Sequence, residues 1–249
     1  MIGLIDADHI PYIVCYNSIG EPEKPLEDAI KQANNDLQGL LNGTNVEEFL
    51  LFFTIGTNFR YEIYPEYKAN RIGKEKPPFF KEVRDYLINE YRGIYKANLE
   101  ADDVLNIYKN KYIAEQVSYI VISTDKDINN LVGLNYDIKN NVARLVDQEY
   151  ADQYFWGSVI TGDTADNIKG VPGKGPAFIK KLWESTKEIN LFKSKVICEY
   201  INYFGEEVGI EEFYKNYKCL KIKDSYEGME FINPVKSTLV YAKTLGMAE

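Results

Sequence analysis

The chain has 249 residues, of which 45% are hydrophobic and 27% charged, so it can bury a substantial core, and no apolar run is long enough to span a membrane. Its net charge of −9 argues, for the chain as a whole, against a nucleic-acid-binding protein. The three cysteines show neither metal-ligand spacing nor a disulfide framework, and the amino terminus lacks a signal-peptide pattern, so a reducing, cytoplasmic setting is expected.

Two basic stretches depart from this acidic average. Residues 169–195 carry seven lysines against two glutamates, and residues 60–84 carry seven Lys or Arg against four glutamates. Part of the acidity would also be offset if clustered carboxylates hold divalent cations. The distribution of charge therefore leaves open the phosphate-binding function that the net charge disfavours.

Three apolar segments predict buried strands that run into acidic or polar loops. They are residues 2–5 followed by Asp6 and Asp8, residues 49–53, and residues 117–123 followed by Asp125 and Asp127. Helical periodicity predicts helices over 26–41, 79–91 and 148–160, and shorter strands over 136–138 and 143–146. Because chemistry collects at the carboxyl ends of strands in open α/β sheets, the acids there are candidate site residues.

Tyr67, Lys68 and Arg71 follow the second strand at spacings of three and four residues. On a helix they would form one aromatic and basic face, suited to stacking on a base and holding a phosphate. The alternative is a solvated charged helix with a tyrosine packed beneath it. Residues 73–78, rich in charge, Gly and Pro, are predicted to be mobile.

A third acidic group comprises Glu100, Asp102 and Asp103. Acids suit the first turn of a helix, and Asn98 could be its N-cap, which is the purely structural interpretation. Glu100 and Asp103 would share one face, however, and three carboxylates in four residues exceed what capping needs. This group is therefore a third candidate for metal binding.

The stretch 161–175 combines two acids with a turn. Asp163 and Asp166, three residues apart, would project from one face of a helical turn. Residues 170–175 contain three glycines and a proline, which predicts a tight hairpin whose free N–H groups cradle a phosphate, followed by a helix from Pro176. An ordinary Gly-Pro loop beside a solvated helix start is the alternative. The rest, with helices over 189–204 and 210–217, reads as mainly helical.

All of these acidic groups offer carboxylate oxygens, which are hard ligands, and the sequence contains no cluster of His or Cys residues. Mg²⁺ or Mn²⁺ fits such ligands and zinc does not. Eight or nine carboxylates exceed one Mg²⁺ site, so two metals are the economical interpretation, typical of in-line phosphoryl displacement.

Five sequence blocks, in this order and at these spacings, resemble those of the flap endonuclease/5′-nuclease family, including bacteriophage 5′→3′ exonucleases and the 5′-nuclease domain of bacterial DNA polymerase I. The blocks are LIDAD, YPEYKANR, LEADDVL, VISTDKDINNLV and TGDTADNIKGVPGKG, and the resemblance runs from residue 2 to about 185. It implies metal ligands at Asp6, Glu100, Asp102, Asp103, Asp125, Asp127, Asp163 and Asp166, to which we add Asp8 as a hypothesis.

The resemblance also implies where the substrate is held. Lys68 and Arg71 would contact the scissile phosphate and act in catalysis with Asp6, while Tyr67 would stack on a nucleotide. The hairpin would be the turn of a helix–three-turn–helix motif that grips duplex DNA and binds K⁺. Its DNA-contacting residues would be Gly170, Val171, Gly173, Lys174, Gly175, Lys180 and Lys181.

The implied fold is α/β: a PIN-like nuclease domain over 1–150 with a mostly parallel sheet and a helical arch at about 60–90, then a helical DNA-binding region over 151–249. The implied function is Mg²⁺-dependent, structure-specific 5′→3′ exonuclease or flap endonuclease activity that leaves 5′-phosphates, in replication or recombination. The expected setting is a monomer in bacterial or phage-infected cytoplasm, acting on flaps, nicks or 5′ ends, with a replicative polymerase or single-strand-binding protein as a partner in trans.

Three residues depart from the family pattern. Thr54 stands in a block where the family usually has an acid after the second strand, and we hypothesise that Asp8 substitutes for it. Lys174 stands where the family prefers Ile, and Ala177 replaces a frequent lysine. The missing acid keeps a non-catalytic DNA-junction binder as an alternative function, and nothing in the sequence separates DNA from the RNA:DNA hybrids of primer removal.

Overall fold

The computed structural model describes residues 1–16 and 24–226, which form two compact units. The first unit comprises Met1–Asn58, Gly73–Val146 and Ile222–Tyr226, and the second comprises Phe59–Ile72 and Asp147–Lys221. In sequence, the two units are interleaved, and the functional division at residue 150 stays a prediction. The stretch 59–72, assigned from sequence to the nuclease domain as part of the arch, groups with the second unit. Predictions for the sequence beyond residue 226 lie outside the described residues.

A five-stranded sheet forms the centre of the first unit. Its strands are β1 (Ile2–Asp6), β2 (Glu48–Phe52), β3 (Tyr119–Ser123), β4 (Gly133–Asp137) and β5 (Val142–Val146). The order is β2-β1-β3-β4-β5, and only the β4–β5 pair is antiparallel. In register, Asp6 pairs with Phe52, and Ile5 pairs with Ile122, one residue before Ser123. The carboxyl ends of the first three strands therefore meet at one edge, as the sequence predicted.

Helices cover both faces of this sheet, which is why β1 is apolar up to its last residue, Asp6. They are α1 (His9–Cys15), α2 (Leu26–Thr44), α4 (Phe80–Tyr91) and α5 (Ala101–Ala114). The core on one face joins Ile5 to residues of α1, α2 and α4, and the core on the other joins Leu4 and Phe52 to Val104 of α5. The buried sheet thus provides a rigid base for the side chains at its carboxyl edge.

The second unit is mainly helical, as expected. Its elements are α3 (Arg60–Ile63), α6 (Gln148–Thr161), the two-residue strands β6 (Gly162–Asp163) and β7 (Ile168–Lys169), α7 (Pro176–Thr186), α8 (Ile189–Phe204) and α9 (Glu206–Leu220). Aromatic residues dominate its core, where the ring of Trp156 stacks on that of Phe213 at 5.7 Å. None of the helices described in either unit is both long and apolar enough to cross a membrane.

Two local predictions were wrong. Residues 67–71 do not form a helix, because Lys68 adopts a left-handed conformation (φ 54°) and only Ala69–Arg71 form a single 3₁₀ turn. Asp163 and Asp166 do not share a helical turn either, since Asp163 ends β6 and Asp166 lies in the turn before β7. Both errors arise because residue spacing fixes a common face only when the backbone is helical.

Candidate active site

Asp6 is the last residue of β1 and is tied to the end of β3. Its Oδ2 accepts a hydrogen bond from the hydroxyl of Ser123 at 2.9 Å, and the Ser123 Oγ accepts one from the backbone N–H of Asp125, also at 2.9 Å. The backbone N–H of Asp127 donates in turn to Asp125 Oδ1 at 2.9 Å. Ser123 is 1% exposed. One buried hydroxyl group therefore connects the two acidic strand ends.

Asp8 is bonded to the loop that follows β2. Its Oδ1 accepts a hydrogen bond from the backbone N–H of Thr54 at 2.9 Å, and the Thr54 Oγ1 accepts one from Ala101, the first residue of α5, at 2.9 Å. Thr54 thus connects Asp8 to the helix that begins beside Glu100. This contact supports, without testing it, the hypothesis that Asp8 replaces the acid missing after β2.

Glu100 and Asp103 cap α5 reciprocally. Glu100 is the N-cap residue, and its backbone N–H donates to Asp103 Oδ2 at 3.1 Å, while its Oε1 accepts from the Asn58 amide at 2.9 Å. Asp103 is fully buried, and its Oδ1 accepts from the backbone N–H of Lys223 at 2.9 Å. Asn98, the N-cap expected from sequence, lies outside the helix.

Each oxygen of Asp103 accepts a hydrogen bond from a backbone N–H group, and its role as a metal ligand stays a prediction from the resemblance. Its carboxylate orients Glu100 and anchors the returning segment Ile222–Tyr226. Asp102 remains the half-buried carboxylate of this group. Two of the three acidic residues, Glu100 and Asp103, therefore take part in capping the helix, which is more than the sequence suggested.

Burial and mutual repulsion act on the carboxylates of the first unit. Burial raises the pKa of Asp6 to about 6, although hydrogen bonds from Ser123 and Asp8 lower it, and the charges of Asp125 and Glu100 raise it again. Burial, then the charge of Asp6, raises the pKa of Asp8 to about 7. The fully ionised cluster is therefore costly for the protein alone, and a bound cation would offset that cost.

The donor set fits a hard divalent cation. Asp6, Asp8, Glu100 and Asp125 offer only carboxylate oxygens, the ligands that Mg²⁺ and Mn²⁺ prefer. Within the described ranges, however, no three His, Cys, Asp or Glu side chains are grouped closely enough to hold a metal ion. The chemistry and electrostatics of the residues thus fit a metal centre, and its ligand geometry stays a prediction.

In the second unit, the side chains expected to bind the substrate all interact with the carboxylate of Asp166. Its Oδ1 lies 2.6 Å from Arg71 Nη2, and its Oδ2 accepts a hydrogen bond from the Tyr67 hydroxyl at 2.9 Å and lies 3.7 Å from Lys68 Nζ. Asp163 is buried, and its Oδ1 accepts from the backbone N–H of Ala165 at 2.8 Å. The structure brings Tyr67, Lys68 and Arg71 together through one carboxylate rather than through a helix.

Tyr67 requires a correction. It is 2% exposed, and its ring packs edge-on against Tyr61 at 5.3 Å, so it is not available for stacking on a nucleotide in this conformation. The tyrosine packed beneath charged residues, which the sequence offered as the alternative, describes it better. The Lys68 Nζ lies 4.9 Å from the centre of its ring.

The hairpin over residues 170–175 leads into α7, whose first residue is Pro176, as predicted. Its N–H groups are not all free, because Val171 donates to Ile160 and Lys174 donates to Val171. The Val171 side chain is buried in the helical core, and Lys174 Nζ forms an ion pair with Glu199 at 2.6 Å.

Of the DNA contacts expected around this hairpin, Lys180 and Lys181 lie exposed on α7, and Gly173 and Gly175 are exposed in the turn. Gly170 is held closely, since a Cβ there would lie 2.2 Å from the carbonyl carbon of Thr161. The lysines and the turn backbone therefore remain candidates, whereas Val171 is structural.

Sequence reasoning did not predict the contacts by which Ser123, Thr54 and Asn58 organise the carboxylates. Ser123 ends β3, Thr54 lies two residues after β2, and Asn58 lies further along the loop that follows β2. A polar side chain that interrupts an apolar strand at its carboxyl end was the available signal, but by itself it does not identify a partner.

The family model for the 5′-3′ exonuclease N-terminal resolvase-like domain matches residues 2–155. A 5′-3′ exonuclease of Mycoplasmopsis pulmonis is 32% identical over 60% of this chain and 54% of that protein. The exonuclease of Escherichia phage T7 is 30% identical over 60% of this chain and 50% of that protein. The matched part thus spans about half the length of these two relatives.

Solved structures of a bacteriophage T5 nuclease share the fold. The form crystallised with metal ions matches with a TM-score of 0.68 at 19% identity, covering 100% of this chain and 99% of that one. The flap endonuclease complex with DNA and metal ions matches with a TM-score of 0.64 at 18% identity, covering 97% and 90%. The likeness confirms an α/β fold with a mostly parallel sheet.

The raised pKa values of Asp6 and Asp8 predict how stability depends on pH. In the folded chain the pKa is about 6 for Asp6 and about 7 for Asp8, above the ordinary value of 3.8. Both groups therefore bind protons more tightly in the folded chain than in the unfolded chain. Stability in EDTA should therefore fall as pH rises between these values. Thermal midpoints in EDTA should decrease from about pH 4 to about pH 7, and Mg²⁺ should raise the midpoint more at the higher pH.

Asp8→Asn should flatten this pH profile and weaken the Mg²⁺ effect, whereas Asp36→Asn, at an exposed position on α2, should leave both unchanged. An Asp8→Asn protein whose profiles in EDTA and in Mg²⁺ overlay those of the wild type would contradict the electrostatic description.

Asp102 and Asp103 should respond differently to the same substitution. Asp103→Asn disturbs one buried and one partly buried hydrogen bond from backbone N–H groups, so it should lower the free energy of unfolding by about 1–3 kcal/mol. Asp102→Asn should change it little and should instead reduce stabilisation by Mg²⁺. Urea unfolding with and without Mg²⁺ separates the two effects, and equal behaviour of the two variants would contradict the assignment.

Proposed function

The chain belongs to the 5′-3′ exonuclease family, and from this premise we propose that it is a structure-specific 5′→3′ exonuclease or flap endonuclease. It would hydrolyse DNA phosphodiesters with divalent metal ions, leaving a 5′-phosphate and a 3′-hydroxyl. The observation that carries the proposal is the set of mutually repelling carboxylates at the carboxyl edge of the sheet, inside the region that the family model matches.

The carboxylates proposed to hold Mg²⁺ lie in the first unit. Asp6, Asp8, Glu100 and Asp125 interact electrostatically, and Asp102 and Asp127 stand beside them in the chain. When bound, two Mg²⁺ or Mn²⁺ ions would stabilise the attacking and leaving oxygens of an in-line displacement. The roles of Asp163 and Asp166 as further ligands stay predictions from the resemblance.

Lys68 and Arg71 would neutralise the negative charge that develops on the phosphate. The planar guanidinium of Arg71 can donate two parallel hydrogen bonds to phosphate oxygens, and Lys68 adds a compact positive charge. Both cations are directed at Asp166 in the structure, so a phosphate would have to compete with this carboxylate. Such a contact fixes where the cations lie before substrate arrives.

Duplex DNA would be held through its backbone by the second unit. The exposed lysines of α7, Lys180 and Lys181, and the turn at residues 170–175 would contact phosphates, which positions a duplex without reading its sequence. This is the role proposed for a helix–three-turn–helix motif, together with K⁺ binding at the turn. A polymerase or single-strand-binding protein in the same compartment stays a prediction.

Cleavage of three labelled substrates tests the proposal. A 5′ flap, a nicked duplex and an RNA-primed duplex, each incubated with Mg²⁺, should show cleavage near the 5′ end or junction. Asp125→Asn/Asp127→Asn should lower the rate by a factor on the order of 10² or more, because ligands of the proposed cations are lost, whereas Asp36→Asn should not.

The pattern of products separates the alternatives. Cleavage of the RNA-primed duplex alone would identify a primer-removing nuclease. Binding of the flap without cleavage in Mg²⁺ or Mn²⁺ would identify a non-catalytic junction binder. Cleavage that survives the double substitution would contradict the assigned site.

A further inference from the structure

One buried carboxamide holds the turn that follows the acidic end of β3. Asn135 lies at the centre of β4 and is 2% exposed. Its Nδ2 donates to the carbonyl oxygen of Ile128 at 2.8 Å and to that of Leu131 at 2.7 Å. Ile128 belongs to the 3₁₀ turn Lys126–Asn130, and Leu131 directly follows this turn. Asn135 thus connects the turn to a strand of the central sheet.

These two hydrogen bonds satisfy main-chain groups that lie in the core. Ile128 and Leu131 are 8% and 3% exposed, and they belong to the same apolar core as Val104 of α5. Buried carbonyl groups in an irregular segment need a donor, which a side chain can provide. Because both partners of the Asn135 Nδ2 are carbonyl oxygens, the same contacts determine the orientation of the carboxamide.

The turn carries two of the carboxylates proposed to hold divalent cations. Asp125 is its N-cap residue, and Asp127 is its second residue, whose backbone N–H donates to Asp125 Oδ1. Ser123 holds the start of the turn, since its Oγ accepts from the backbone N–H of Asp125. Asn135 holds the end of the turn. Because the turn has only five residues, a contact at each end fixes the backbone from which the two carboxylates project.

The oxygen of the same carboxamide contributes no contact of this kind. Within the part of the chain that the structure describes, the Asn135 Oδ1 is buried without a hydrogen-bond partner. An unsatisfied buried acceptor lowers stability and offsets part of what the two donated bonds contribute. Removal of the side chain should therefore affect the geometry of the turn more than the stability of the fold.

We propose that Asn135 is a positioning residue for metal binding, which orders Asp125 and Asp127 before a divalent cation arrives. It acts through the carbonyl groups of Ile128 and Leu131 and does not contact the ion. Replacing a side chain that orients metal ligands in this indirect way typically lowers metal affinity by about 10- to 100-fold. The inference rests on the proposed metal-dependent function, because it requires that these aspartates bind the cation.

Calorimetric titration with Mn²⁺ alone, at neutral pH and without DNA, tests the proposal. Asn135→Ala should weaken Mn²⁺ binding about tenfold or more. The matched control is Asn34→Ala, in which a half-buried asparagine of the same unit loses its hydrogen bonds to Tyr86 and Tyr91 of α4. The control should lose thermal stability in EDTA and keep the Mn²⁺ affinity of the wild type. Each titration is made well below the unfolding midpoint of its variant, so that unfolding does not lower the measured affinity.

Hydrogen exchange in EDTA measures the turn itself. Asn135→Ala should accelerate exchange of the backbone amides over residues 126–132 and leave those of α2 unchanged. Exchange over the turn that stays at the wild-type rate would contradict the mechanism. Asn135→Thr has a hydroxyl that can donate to at most one of the two carbonyl groups, so its Mn²⁺ affinity should be intermediate. It carries the test if the alanine variant does not fold by circular dichroism.

The outcomes separate this inference from the proposed function. Unchanged Mn²⁺ affinity in Asn135→Ala and Asn135→Thr would overturn the positioning role and keep the metal centre. An equal loss of affinity in Asn34→Ala would also overturn it, because the effect would then follow from reduced stability alone. A wild type that binds no Mn²⁺ would refute the metal centre, and the positioning role with it.

Discussion

Desolvation of the half-buried carboxylates at the end of β1, together with the repulsion between them, is the constraint on which the rest of the first unit depends. Asp6 and Asp8 are held within the fold by Ser123 and Thr54, so their charges cannot move apart. The neighbouring acids raise the cost of ionisation further. The ionised carboxylates by themselves lower the stability of the fold, and a bound divalent cation would offset this cost. The hydrogen bonds around them hold the carboxylates in place despite it.

In the second unit, by contrast, a carboxylate forms ion pairs with cationic side chains. Asp166 accepts from Tyr67 and pairs with Lys68 and Arg71 in a half-exposed position. Such a contact contributes little to stability because solvent screens it, but it orders two long side chains in advance. The same cations can then exchange one anionic partner for another at small cost, as binding of a phosphate would require.

The sequence predicted the parallel sheet, the acids at its carboxyl edge and the turn before α7, because periodicity and strand-end position are local signals. The predictions from sequence failed where tertiary contacts determine the local conformation or the partner of a side chain. The left-handed Lys68 broke the helix assumed for the basic face, and Asp103 proved to be a cap whose second partner, Lys223, is 120 residues away. The hydrogen bonds of Thr54 and the interleaving of the two units were likewise not predictable, since they depend on pairs of residues distant in sequence.

Direct counting of Mn²⁺ ions is the measurement that tests the central claim most directly. Electron paramagnetic resonance titration of the full chain reports free Mn²⁺ without requiring substrate or turnover. Mn²⁺ binding should be saturable, should weaken as pH falls below about 6 and should be largely lost in Asp6→Asn. Mn²⁺ binding of equal affinity and stoichiometry in the wild type and in Asp6→Asn, or no binding by either, would contradict a metal centre built on these carboxylates.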